Sequence, residues 1–231
     1  MKIYKLGDRV RVALSDKSNG NMRAVKSEDR DGVEENRKNL LAQMGLEFDS
    51  VYLVRVSYDT DNYCQFITAD KRNAIQLGEN AKRCDGLLTR ETGKGIFLPL
   101  ADCLGVVLYD TQNKAMMIAH CGTHTTLQDG AFHAVNYMRQ TARTKPGNLI
   151  VWFSPSVGKE SYPLYKLNGI SLQEAVTGQL VKAGVPKENI RLSDVDTAKD
   201  EHYFSHSQGD LYERFAIAAV IDSSYRSFTR Y

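Results

Sequence analysis

A cysteine and a histidine, Cys103 and His120, stand near the two ends of "LADCLGVVLYDTQNKAMMIAHCG". A thiol beside an imidazole supports two chemistries. The imidazole can take the thiol proton and make a nucleophile, or the two can serve together as ligands to zinc. Asp102 immediately precedes the cysteine, and a strand-to-helix turn, "HCGTHTT", follows the histidine. Amides around Thr123 to Thr126 are then expected to face the pair, where they suit phosphate or a developing oxyanion. Cys103, His120 and Asp102 are therefore candidate catalytic residues. The plainer reading is that Cys103 and His120 are ordinary core residues, since cysteine is among the most buried side chains.

Which reading holds depends on the elements that place the two. "LGVVLYD" and "KAMMIAH" flank "DTQN", whose residue types suit a tight connection between antiparallel strands. A four-residue loop predicts Tyr109 opposite Lys114 and hence Cys103 opposite His120, with Cβ atoms ~4.5–5.5 Å apart on one face. A slip of one residue would bring Cys121 there instead. Before the hairpin, "SDKSNGNMRAVKSEDRDG" reads as a long loop. "VEENRKNLLAQMGL" follows as a helix with Asp31 and Glu34 as its capping box, and "VYLVRVSY" and "GIFLPL" read as strands, the second at an edge or ending at its proline. Beyond the hairpin, "TTLQDGAFHAVNYMRQTAR" has one apolar helical face, "NLIVWFSPSVG" is a buried strand, "SLQEAVTGQLVKAG" is a helix capped by Ser171 and Glu174, and "RFAIAAVID" is a strand. Helices and strands mix without strict alternation, which predicts an α+β fold, one domain over 1–231.

Bulk properties narrow the partners. Thirty basic and 28 acidic residues leave a net charge of +2, which offers no general field for nucleic acid or an anionic membrane. A small neutral or anionic substrate fits better. The segment "MKIYKLGDRVRV" lacks the apolar core of a signal peptide, so a cytoplasmic location is expected. Four cysteines form no CxxC pair, and in a reducing compartment they are expected as thiols.

At "CDGLLTRETGKGIFLPLADCLGVVLYD" and "MMIAHCG" the sequence resembles the laccase-domain family, also called multicopper polyphenol oxidoreductases and associated with purine nucleoside phosphorylase and adenosine deaminase activity. "VEENRKNLLAQMGL" is similar to the family's helix with an Asn-Arg pair, here Asn36 and Arg37; "FSPSVG" resembles its Gly-Pro-Ser-Ile-Gly segment, and "DTAKDEHYFSHSQGD" its late Phe-Phe-Ser segment. The resemblance implies packed mixed or antiparallel β-sheets covered by helices, in a fold related to the Cys/His hydrolases of the cytotoxic-necrotizing-factor type. It also implies zinc held by two histidines and a cysteine, with Cys103 and His120 carrying over as ligands. Substrate-binding positions carried over are Asn36, Arg37, Tyr58, Asp85, Thr123, His124, Ser205 and His206, for a nucleoside and phosphate.

The sequence departs from the pattern in three places. Tyr58, in "RVSYDTD", stands where the family has its first histidine; Thr123 and His124 replace Trp and Arg; Ser207 and Gln208 replace a late arginine pair. His124 or His206 would have to restore a third ligand. Three readings follow: a family-type nucleoside enzyme, a metal-independent Cys/His thiol hydrolase, and a binding protein that has lost its chemistry. Blue-copper oxidation is excluded, because five scattered histidines do not supply its ligand set.

Overall fold

The computed structural model describes residues 1–24 and 29–223. Along the chain run β1 (Lys2–Leu6), β2 (Val10–Leu14), α1 (Arg30–Gln43), β3 (Val51–Leu53), β4 (Phe66–Thr68), β5 (Gly86–Thr89), β6 (Gly95–Leu100), β7 (Leu104–Asp110), β8 (Ala115–Cys121), α2 (Thr123–Leu127), α3 (Gly130–Ala142), β9 (Leu149–Phe153), α4 (Leu172–Lys182), β10 (Ile190–Arg191) and β11 (Phe215–Ile221). They form two mixed sheets, one ordered β1-β2-β11-β6-β3 and the other β10-β9-β7-β8-β5-β4.

Period-two alternation explains how these sheets stack. In β11, Phe215, Ile217, Ala219 and Ile221 join the layer between the sheets, together with Ile96 and Leu98 of β6, Val107 and Tyr109 of β7, and Met116 and Ile118 of β8. The alternate residues face outward. Ala216, Ala218 and Val220 meet Leu40 and Leu41 of α1 and Met44 at its C-cap. Val106, Leu108, Met117, Ala119 and Cys121 meet Ala134, Val135 and Met138 of α3 and Val176 and Leu180 of α4. The order is helix, sheet, sheet, helices, an α+β architecture with both outer faces covered. His120 continues the inward series of Met116 and Ile118, so its imidazole is delivered to the end of the inter-sheet layer.

Several local expectations need correction. The hairpin pairs Asp110 with Ala115, which places Gly105, not Cys103, opposite His120. The turn occupies Thr111 to Lys114 because Lys114 takes a left-handed φ of 53° and Asp110 accepts the amides of Gln112 and Asn113. A shift of two residues keeps the face, so Cys103 and His120 stay on one side. The single helix expected after "HCG" is two, α2 and α3, broken where Asp129 adopts φ 57°. Gly130 is required there: a Cβ would lie 2.7 Å from the Thr125 carbonyl oxygen. Asp31 does not cap α1, whose N-cap is Asp29 without a side-chain bond. "VYLVRVSY" pairs as a strand only over Val51–Leu53. The expected Ser171–Glu174 capping box is present, and Pro99 lies past the end of β3's pairing, near the end of β6. Of the early loop, 25–28 lie outside the described residues.

Candidate active site at the crossover between the sheets

Between β6 in one sheet and β7 in the other the chain turns a corner through Ala101, Asp102 and Cys103. Asp102 makes that corner with φ 71°, a left-handed conformation that a non-glycine residue holds only at a cost of ~1–2 kcal/mol. Its carboxylate is anchored in return. Thr197 Oγ1 donates to Oδ1 at 2.7 Å, and the Ser207 amide and hydroxyl donate to Oδ2 at 2.7 and 2.6 Å. With both oxygens so engaged, Asp102 makes no hydrogen bond to His120 among the described residues, and its anchored corner fixes the backbone that carries Cys103.

The thiol and the imidazole meet over Gly122. A Cβ at that position would sit 3.1 Å from Cys103 Sγ and 3.0 and 3.4 Å from His120 Cε1 and Nε2. Absence of a side chain there leaves the space between them open. His120 is 4% exposed, and its Nδ1 is buried without a hydrogen-bond partner among the described residues. Burial alone pushes its pKa down to about 4. Cys103 is pushed up to about 11 by burial and then by the charge of Asp102, with Arg214 opposing. Both are neutral at pH 7: a thiol beside an unprotonated base, not a preformed thiolate–imidazolium pair.

Two further residues frame this pair. Asp85 lies opposite His120 in an extension of the β5–β8 ladder and accepts the His120 amide at its carbonyl, 2.7 Å. Its Oδ2 accepts the Gln65 amide at 3.0 Å, while Oδ1 is buried without a partner among the described residues, and burial raises its pKa to about 6. The Tyr58 ring stands edge-on to His120, centroids 6.4 Å apart at 89°. That ring is 57% exposed, and its phenol, pushed up to about 12 first by desolvation and then by charge on Cys103, stays neutral.

The other candidates are spread around this centre. Asn36 donates to the Asn21 carbonyl and so holds the early loop. Arg37 is buried, donates from Nε to the Met22 carbonyl at 2.9 Å and lies 5.5 Å over the Phe97 ring. Thr123 Oγ1 reaches the Tyr162 hydroxyl, and exposed His124 stacks on Tyr63 at 4.7 Å. Ser205 is buried with its hydroxyl unpartnered among the described residues, whereas His206 is exposed. Among the described residues no three His, Cys, Asp or Glu side chains converge as metal ligands, so neither His124 nor His206 restores the missing one. Cys103 and His120 supply two donors, and a phenol with a pKa of about 12 is a poor third. This donor set does not fit a catalytic zinc held by three protein ligands.

Sequence reasoning missed the arginines. Arg23 and Arg214, from opposite ends of the chain, line a cavity of about 430 Å³ together with Tyr58 and Arg37. Nothing local in the sequence links positions 191 residues apart; the fold does so beside the β2–β11 pairing, where the Met22 amide donates to the Arg214 carbonyl and the Arg214 amide to Asn21 Oδ1, both at 2.9 Å.

Comparisons with known proteins agree with this architecture. The sequence profile of the family described as multi-copper polyphenol oxidoreductase laccase matches residues 11–168. The mouse protein named purine nucleoside phosphorylase LACC1 is 25% identical over 204 residues, covering 78% of this chain but 45% of its own length, so the chain spans less than half of that relative. A prokaryotic protein named adenosine deaminase RL5 is 29% identical over 181 residues, covering 67% of this chain and 68% of that one. Among solved structures, YfiH of Bacillus licheniformis superposes with a TM-score of 0.80 at 18% identity, covering 92% of this chain and 93% of that one, and YlmD of Geobacillus stearothermophilus with 0.78 at 21%, covering 92% and 91%. These two share the fold. With its two packed mixed sheets and a matching profile over more than half its length, the chain belongs to the multi-copper polyphenol oxidoreductase laccase family.

Proposed function

We propose that this chain is an enzyme acting on a purine-nucleoside-type small molecule and that it cleaves a C–N bond by hydrolysis, with Cys103 as nucleophile and His120 as general base. The observation that carries the reading is the neutral thiol and neutral imidazole bracketing the open space over Gly122. The nucleoside part rests on the names of the relatives, and Tyr58 supplies an exposed aromatic face for a purine.

In this scheme the Cys103 sulfur adds to the carbon bearing an amino group as His120 takes the thiol proton. His120 then passes that proton to the departing nitrogen, which leaves as ammonia. Water, deprotonated by His120, adds to the same carbon; the carbon–sulfur bond breaks, and sulfur recovers a proton from His120. The products are a carbonyl base and ammonia, and the enzyme is regenerated. Asp85, its pKa raised by burial to about 6, offers its unpartnered oxygen to a ring nitrogen. Phosphorolysis is the second reading. The observation that favours it is the Arg214 charge beside Cys103, a place for phosphate despite the loss of the family's other cations.

Incubation with adenosine, with and without phosphate, decides between these by ammonia release against free base. Cys103→Ala and His120→Ala are expected to lower turnover about a thousandfold or more, and chelator-treated protein is expected to keep it. Activity lost on chelation and restored by zinc would overturn the metal-independent scheme. Binding of nucleosides without turnover would leave the binding-protein reading.

A further inference from the structure

Tyr58 faces His120 from a stretch that no strand or helix holds. Residues 56–65 lie between β3 and β4 and belong to neither, so the ladders of the sheets do not set where that ring stands. Thr60 and Asn62 bond to each other, and Asn62 Oδ1 accepts the Cys64 amide at 3.0 Å, which shapes the turn from within. On the early flank Arg83 donates to Ser57 Oγ at 2.8 Å, and at the far end the Gln65 amide donates to Asp85. The middle is held by α2.

Gln128, the residue that ends α2, has an exposed side chain that is nonetheless engaged at both polar atoms of its amide. Its Oε1 accepts the Tyr63 amide at 2.9 Å, and its Nε2 donates to the Asp61 carbonyl at 2.8 Å. A primary amide carries a donor and an acceptor in one plane, so it can pair with the carbonyl and amide of residues two apart, as a neighbouring strand does. Beside it, Cys64 Sγ donates to the Gln128 carbonyl at 3.4 Å, and the Tyr63 ring stacks on His124. Tyr63 passes the restraint on, since its hydroxyl donates to the Tyr58 carbonyl at 3.1 Å. The base of this clamp is itself fixed. Buried Gln179 of α4 donates to the Thr126 carbonyl at 2.7 Å, and α2 begins at Gly122, over which the thiol and imidazole meet.

We propose that Gln128 is a positioning residue of this site: through Tyr63 it fixes the 58–65 segment to α2, and so fixes the Tyr58 face on which a flat ring is laid beside the thiol and imidazole. The identity of that ring rests on the proposed function; the clamp does not depend on it.

Gln128→Met keeps the length of the side chain and removes both amide bonds, and two measurements on the intact chain read the result. The first is alkylation of ligand-free protein by iodoacetamide, resolved by peptide mass. Cys64 is a slow thiol while the clamp holds, pushed up to about 11 first by desolvation and then by the charge of Asp85. In the variant its labelling is expected to rise about tenfold as the segment meets water. Buried Cys84 and Cys121 are expected to stay as slow as in wild type. The second is calorimetry with adenosine, which needs no turnover: the variant is expected to bind about tenfold more weakly. Gln128→Glu keeps the acceptor for the Tyr63 amide and loses the donor, and is expected to fall between in both measurements. Cys64 labelled at the wild-type rate in Gln128→Met would overturn the clamp, and so would equally faster labelling of Cys84 and Cys121, the mark of a general loosening. Adenosine bound equally by variant and wild type would overturn the positioning role. No adenosine bound by either form would remove the proposed nucleoside and that role together, with the clamp still decided by Cys64.

Discussion

The hairpin of β7 and β8 has two ends that treat buried polar groups in opposite ways. At the turn, Asp110 is fully buried, yet Oδ1 accepts the amides of Gln112 and Asn113 and Oδ2 accepts Asn113 Nδ2, and Asp110 titrates below the usual carboxylate range. At the open end, Asp85 Oδ1 and His120 Nδ1 are buried without partners, and both groups are driven toward their neutral forms, at about 6 and about 4. Strands common to both ends rule out sheet geometry as the cause. The same hairpin thus satisfies a buried carboxylate at its turn and, among the described residues, leaves two desolvated atoms without partners beside Cys103.

The contrast predicts opposite responses to acid and mutation. The largest effect is expected from His120, whose pKa is about 4 in the fold against 6.5 unperturbed. Its neutral form contributes about 3 kcal/mol above pH 6.5, which is lost as pH falls through 4. Asp85 works in the other direction: its contribution is full below 3.8 and is lost as pH rises through about 6. Denaturant melts of wild type and His120→Asn between pH 4 and 7 isolate the histidine. The variant should show the flatter acid limb, and parallel curves would break the comparison.

Tyr58→His is expected to raise zinc affinity about a hundredfold, because it places a third ligand beside Cys103 and His120. Zinc titration of both forms measures this, and equal affinities would mean that position 58 is not the absent ligand's place. At the satisfied end, Asp110→Ala should cost about 2 kcal/mol by unfolding, through the amides it leaves unbonded, with Cys103 reactivity toward iodoacetamide unchanged. Gly122→Ala is the smallest in stability, about 1 kcal/mol, since φ is −91° and only side chains must move. Its effect belongs to the site: the methyl enters the space between thiol and imidazole, and turnover should fall about tenfold or more.

Much of this was legible from residue types. Alternation in "LGVVLYD" and "KAMMIAH" places Cys103 and His120 on one face, and that holds although the register is shifted by two, because parity survives an even slip. The left-handed φ of Lys114 that sets the shift has no signature in a lysine. Asp129, which divides α2 from α3, has a weak one, since aspartate before glycine is a turn signal. The β1–β2 hairpin went unread: its glycine turn is short and the exposed Lys2 and Ile3 blur the alternation. Asp85 was placed with the substrate on resemblance, but that its carboxyl has one unpartnered oxygen follows only from the ladder beside His120. The cavity beside Tyr58 was out of reach, since its lining is assembled from segments far apart in the chain, from Arg23 to Arg214.

The position of β11 has a consequence for how the molecule is made. This strand lies in the middle of its sheet, between β2 and β6, and pairs Ile221 with Val10. As the ribosome releases the chain from its amino end, β2 and β6 emerge long before the strand that joins them. Until then β1-β2 and β6-β3 are separate ribbons with open edges, prone to pairing with neighbouring chains. Arg214 and Ser207 arrive with that same late segment. The corner that carries Cys103 and the cavity beside Tyr58 are therefore completed together, at the closing step of folding, so partly synthesised chains carry the thiol without Arg214 and the tether from Ser207 to Asp102.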